Sequence, residues 1–113
     1  MKAVRGATVA MADTEEAVIE ATRELIDEII SKNSLIQDNI ISILLVSTHD
    51  ITSAFPGKAL REMGLGHLAV IDTLAPNIKE DIPLCIRVML NIDSSNDINH
   101  VYLRDAKKLR PDR

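Results

Sequence analysis

The segment Leu84-Cys85-Ile86-Arg87-Val88-Met89-Leu90-Asn91-Ile92 consists largely of aliphatic residues around one full charge. It holds neither glycine nor proline, and its branched side chains predict a strand. Successive side chains on a strand point to opposite faces. Ile86, Val88, Leu90 and Ile92 therefore make an apolar face, while Cys85, Arg87, Met89 and Asn91 share the other. Burying an unpaired guanidinium is costly, so such a charge is usually paired or used. A sheet with one apolar face and one face carrying a lone arginine suggests an anion-binding surface. An arginine at a sheet edge, or one paired with a buried aspartate, is the competing reading.

Working outward, Lys2–Ala10 reads as a first strand interrupted by Gly6, and Ile40–Thr48 as a buried strand. His67–Thr73 and Ile98–Arg104 read as two more. Asp13-Thr14-Glu15-Glu16 is a helix start in which Asp13 caps and Glu16 completes a capping box. Val18, Ala21, Leu25 and Ile29, supported by Ile26 and Ile30, carry that helix at the α-helical period to about Lys32, where Asn33-Ser34 ends it. Phe55–Met63 reads as a short helix with Pro56 near its first position and Gly64 beyond its end. His49–Ala54 and the proline-bearing stretch Ala75–Pro83 read as loops, and Ser94-Ser95-Asn96-Asp97 as a turn. One long helix covers only one face of such a sheet. The face bearing Arg87 needs another cover, and oligomerisation is the simplest one.

At 113 residues, the chain reads as one domain over 1–113. A net charge of −4 argues against nucleic acid as partner, because phosphate binding wants a basic face. One cysteine leaves no intrachain disulfide, which fits a reducing cytoplasm. The start, Met1–Gly6, has no signal-peptide stretch, and the longest apolar run, Ile40–Val46, is broken by Ser42, so no membrane span is expected. With one Phe, one Tyr and no Trp, no base- or sugar-stacking platform is expected, and Phe55 and Tyr102 stand out.

The usual catalytic devices are missing. The four glycines form no phosphate-binding loop, and His49, His67, His100 and Cys85 have no metal-ligand spacing. Cys85 in an aliphatic strand reads as a small buried hydrophobe. The remaining signal is cationic: Arg5 and Arg87 both interrupt apolar strands, Lys58 and Arg61 share a face of the short helix, and Arg110 lies near the end. Two guanidiniums with a tyrosine hydroxyl describe a site for a dicarboxylate or a similar anion.

An ordered set of segments resembles one family. Val4-Arg5-Gly6-Ala7-Thr8, Asp13-Thr14-Glu15-Glu16, Ser53-Ala54-Phe55-Pro56, Cys85-Ile86-Arg87-Val88-Met89, His100-Val101-Tyr102-Leu103 and Leu109-Arg110-Pro111-Asp112 look like the AroH class of monofunctional chorismate mutases, in order and spacing, over essentially the whole chain. The resemblance implies a homotrimeric pseudo-α/β barrel with active sites between subunits. The expected fold class is thus α/β (α+β): a five-stranded mixed sheet with one long and one short helix. The implied reaction is the Claisen rearrangement of chorismate to prephenate, on the shikimate route to phenylalanine and tyrosine, with no metal and no cofactor. Carried over, Arg87 contacts the ether oxygen and side-chain carboxylate, which Arg5 and Tyr102 also hold. Phe55, Lys58 and Arg61 come from the adjacent subunit, and Leu109 and Arg110 belong to a segment closing the mouth. Asp72 and Thr73 complete the implied substrate-binding set.

The chain departs from the family in one loop. Where the family carries a glutamate that accepts the ring hydroxyl and orients the arginines, this sequence has Ala75, and Glu80-Asp81 replaces a glycine-rich pair. Asp72 is the candidate substitute carboxylate. Two readings stay open at this point: a mutase, or a relative with weak or no mutase activity that takes another chorismate-like dicarboxylate.

Overall fold

The computed structural model describes residues 1–109. Five strands, β1 (Lys2–Val9), β2 (Ile40–Ser47), β3 (Ala69–Leu74), β4 (Cys85–Ile92) and β5 (Val101–Tyr102), form one sheet in the order β3-β2-β4-β1-β5. β4 runs antiparallel to both β1 and β2, while β3 and β5 add parallel at the edges, so the sheet is mixed as expected. Helices α1 (Glu15–Lys32) and α2 (Gly57–Glu62) complete the regular elements, with 3₁₀ turns at Gln37–Asn39 and Arg104–Leu109.

The alternation in β4 sets the layers. Ile86, Val88, Leu90 and Ile92 are buried, together with Val4 of β1 and Ile43 and Leu45 of β2. Val18, Ala21, Leu25, Ile26 and Ile29 of α1 close this core. Gly6 does not interrupt β1. It lies where α1 crosses the strand: a Cβ there would stand 2.8 Å from Ile29 Cδ1 and 2.9 Å from the Val101 carbonyl oxygen. The opposite face of the sheet carries no helix. On it Leu44 and Met89 are 38% exposed and Ile71 is 62% exposed.

Three expectations are corrected. Thr14, not Asp13, caps α1: its hydroxyl accepts from the Ala17 N–H at 3.2 Å. Asp13 instead accepts from the Thr52 and Ser53 N–H groups, each at 3.0 Å, which takes its carboxylate away from the helix. The third strand starts at Ala69, not His67. The fifth is only Val101–Tyr102, because Arg104 takes a left-handed backbone (φ 52°) and the chain turns into the 3₁₀ segment. The segment before β5 is held by side chains instead. Asn33 donates to the Asn99 carbonyl at 2.9 Å and accepts from the Asn99 N–H at 2.7 Å.

The Gly6 contact gives a direct test. Gly6→Ala drives a methyl into a backbone carbonyl that cannot swing aside, and should cost about 1–3 kcal/mol, the usual range for overpacking. A lower urea midpoint at unchanged slope is the expected reading; an unchanged midpoint refutes the close crossing.

Candidate active site

Arg87 lies in the middle of β4, opposite Ala7 of β1 and Val46 of β2. Paired residues point the same way, so Arg5 (paired with Met89), Ala7 and Tyr102 (paired with Ala7) stand on Arg87's face of the sheet. Arg5, Arg87 and Tyr102 line one pocket of about 460 Å³ with Leu44, Val46 and Leu109. That volume suits a small metabolite. The expected grouping of two guanidiniums, a phenol and Leu109 is therefore present. Arg110 lies outside the described residues.

Arg87 is paired. Its Nη2 donates to Asp81 Oδ1 at 2.6 Å, and that oxygen also accepts from the Ile82 N–H at 2.8 Å. Burial works to lower the Arg87 pKa, but the Asp81 hydrogen bond and charge, with Cys85 alongside, outweigh it and raise it. The guanidinium thus stays charged. Burial pushes the Cys85 thiol up, against the pull of Arg87, so this buried, free cysteine stays a thiol, consistent with a packing role.

Asp72 is not the carboxylate on Arg87 within the chain. It pairs with Leu45, whose side chain is in the α1 core, so Asp72 points to the helical side of β3, away from Arg87's face. There it accepts from the Gly57 N–H at 2.9 Å and holds the start of α2. A Cβ at residue 57 would fall 2.3 Å from Asp72 Oδ2, so the glycine makes this contact possible. Burial raises the Asp72 pKa, against the lowering effects of the Gly57 N–H and Arg61.

Phe55, Lys58, Arg61, Asp72 and Thr73 line a second pocket, of about 530 Å³, with Thr52 and Ser53. No residue lines both pockets. The site residues read from sequence thus fall into two groups in one chain: Arg5, Arg87, Tyr102 and Leu109 in one, and Phe55, Lys58, Arg61, Asp72 and Thr73 in the other. Lys58 is ion-paired with Glu15, which offsets part of the positive charge of the second pocket. Ala75 is buried, and its N–H donates to the Ser47 carbonyl at 2.8 Å.

Sequence reasoning missed Asp81 and Asp50. Asp50 Oδ2 accepts from the Leu84 N–H at 2.9 Å while its Oδ1 takes the Thr48 hydroxyl at 2.6 Å, pinning the loop into β4. An acid a few residues before a strand-borne arginine was the available signal for Asp81. Among the described residues no cluster of His, Cys, Asp and Glu could hold a metal ion, and no helix is long and apolar enough to cross a membrane.

Residues 1–113 match the family model described as chorismate mutase type I. The chain belongs to the type I chorismate mutases. Among members of that family, the chorismate mutase AroH of Bacillus subtilis (strain 168) is 34% identical over 116 residues, covering 99% of this chain and 91% of the relative. The chorismate mutase AroH of Thermus thermophilus is also 34% identical, covering 99% of this chain and 95% of its own. A solved chorismate mutase from Clostridium thermocellum superposes with a TM-score of 0.93 at 36% identity, over 96% of this chain and 99% of that one. Arg5, Arg87 and Tyr102 thus stand on a type I chorismate mutase sheet.

Asp13 ties the loop that lines the second pocket to the start of α1, and its pH signature is defined. Hydrogen bonds from Thr52 and Ser53 lower its pKa from 3.8 to about 2. A depressed carboxylate contributes stability that is fully present above 3.8 and lost as pH falls through about 2. Asp13→Asn should therefore melt below the wild type at neutral pH, with the gap narrowing as pH drops below 3.8. A gap that stays constant in thermal melts down to that range would contradict the assignment.

Proposed function

We propose that this protein is an isomerase that converts chorismate to prephenate, in the biosynthesis of phenylalanine and tyrosine. The observation that carries this reading is the placement of Arg5, Arg87 and Tyr102 around one pocket in a chain of this family. The reaction is unimolecular: the ether C–O bond breaks as a C–C bond forms, and negative charge grows on the ether oxygen. The protein has two tasks. It holds the enolpyruvyl group folded over the ring, a positioning effect. It also presents fixed donors to the developing charge. We assign the second task to Arg87, with Arg5 and Tyr102 holding the side-chain carboxylate.

The working unit in this reading is a homotrimer in the cytoplasm. The sheet face bearing Leu44, Ile71 and Met89 is exposed in one chain and would be buried between chains. The two pockets would then meet across subunits, so that Phe55, Lys58, Arg61, Asp72 and Thr73 of one chain face Arg87 of the next, with Leu109 and Arg110 at the mouth. The free, buried Cys85 suits a reducing compartment. Ala75 favours a second reading, a binder of another chorismate-like dicarboxylate, because it leaves no carboxylate for the ring hydroxyl at that position.

Loss of chorismate absorbance with purified protein decides between the two. The mutase reading expects turnover, and Arg87→Ala should reduce it by about 10²–10³ or more. No turnover at high enzyme concentration refutes it. The trimer is checked separately: sedimentation should give three times the 12.5 kDa chain mass. Co-refolded Arg87→Ala and Arg61→Ala chains, each inactive alone, should regain part of the activity, and a mixture that stays dead contradicts a shared site.

A further inference from the structure

We propose that Asp81 is a positioning residue for Arg87, holding the guanidinium from outside the substrate pocket. Asp81 is the acid that Arg87 meets, at 2.6 Å, with both side chains largely shielded. Yet Asp81 does not line the pocket that Arg5, Arg87 and Tyr102 form. It borders a separate hollow under the loop, with Asp50, Pro76 and Pro83. A carboxylate placed there does not occupy the ligand's space. It acts on Arg87 from behind.

The loop is built to present that carboxylate. It is tied at both ends, by the Ala75 N–H on the Ser47 carbonyl of β2 and by the Leu84 N–H on Asp50 of the loop that follows β2. Two prolines stiffen it, and Glu80 and Leu84 take left-handed backbones (φ 63° and 51°) on either side of Asp81. Non-glycine residues hold such conformations only where the surroundings impose them. The Ile82 N–H then fixes Asp81 Oδ1 in place.

Arg87 shows the result. Its Nε is buried and makes no hydrogen bond to oxygen or nitrogen among the described residues, with the Cys85 thiol the weak acceptor beside the guanidinium. An unmet buried donor is costly, so an arginine free to turn would satisfy it better. Asp81 holds Nη2 and so sets an orientation that Nε alone would not choose. Preorganised donors are effective in catalysis because they need not reorient as charge develops.

The kinetic arm of the test rests on the mutase reading; a spectroscopic arm does not. Asp81→Asn, with Asp81→Ser as a second variant should the first fold poorly, should lower kcat about tenfold or more while KM changes less than kcat. In an Arg87→Lys background the same substitution should have almost no further effect, since the two residues act as a unit. The Arg87 Nε–Hε NMR signal, assigned by its loss in Arg87→Lys, should shift or broaden in Asp81→Asn. A kcat within threefold of wild type, a kcat that rises, or a KM that changes more than kcat overturns the proposal, as does an unmoved Nε–Hε signal. If the wild type turns over no chorismate, the mutase reading fails, and Asp81 stands or falls on the NMR signal alone.

Discussion

A charged side chain in the central strand of a small sheet constrains everything around it. β4 lies between β1 and β2, so Arg87 cannot escape sideways to solvent as an edge residue would. The strict alternation of β4 gives Ile86, Val88, Leu90 and Ile92 to the α1 side, and the guanidinium with Cys85, Met89 and Asn91 to the other. Both helices then gather on one face, because only that face offers them a core. The pocket forms on the face they leave open.

That open face is also where charge must balance. Arg5 and Arg87 stand on adjacent strands, and two cations beside one pocket repel in the absence of an anion. Asp81 offsets one of them without entering the pocket. In the second pocket Glu15 and Asp72 do the same for Lys58 and Arg61. Each cation-bearing pocket is thus built with carboxylates close by. A chain of net charge −4 can in this way present local positive sites to a small dianion.

Much of this was legible in the sequence, and the misses have physical causes. β4, α1 and the one-sided covering of the sheet followed from period and branching alone. The pocket residues followed from two arginines that break apolar strands. Asp13 misled because Asp, Thr and Ser are all good caps, and only the fold shows that Thr52 and Ser53 compete for its carboxylate. Asp72 stands away from Arg87 of its own chain, because sequence distance does not say which face a residue takes. One residue of strand register decided that it supports α2. Asp81 had only its place a few residues before Arg87 to mark it as a partner, because its placement depends on left-handed backbone at Glu80 and Leu84, which neither side chain advertises. The fifth strand was overextended because Ile98–Arg104 has the right composition for a ladder that the turn at Arg104 ends early.

The short fifth strand has a consequence for how the pocket can breathe. Arg87 belongs to a strand laddered on both sides along its length. Tyr102 belongs to a two-residue parallel pairing at the sheet edge, anchored by the Asn33–Asn99 amide clasp and by Arg104, which reaches the Val9 carbonyl at 2.8 Å. Elements with so few ladder bonds open at far lower free energy than the strands they flank. The two donors share a pocket but not a lifetime: the guanidinium is fixed as long as the sheet exists, while the phenol depends on a two-residue pairing at its edge. One wall of the pocket is thus as durable as the sheet itself, and the other only as durable as the few bonds that hold its edge.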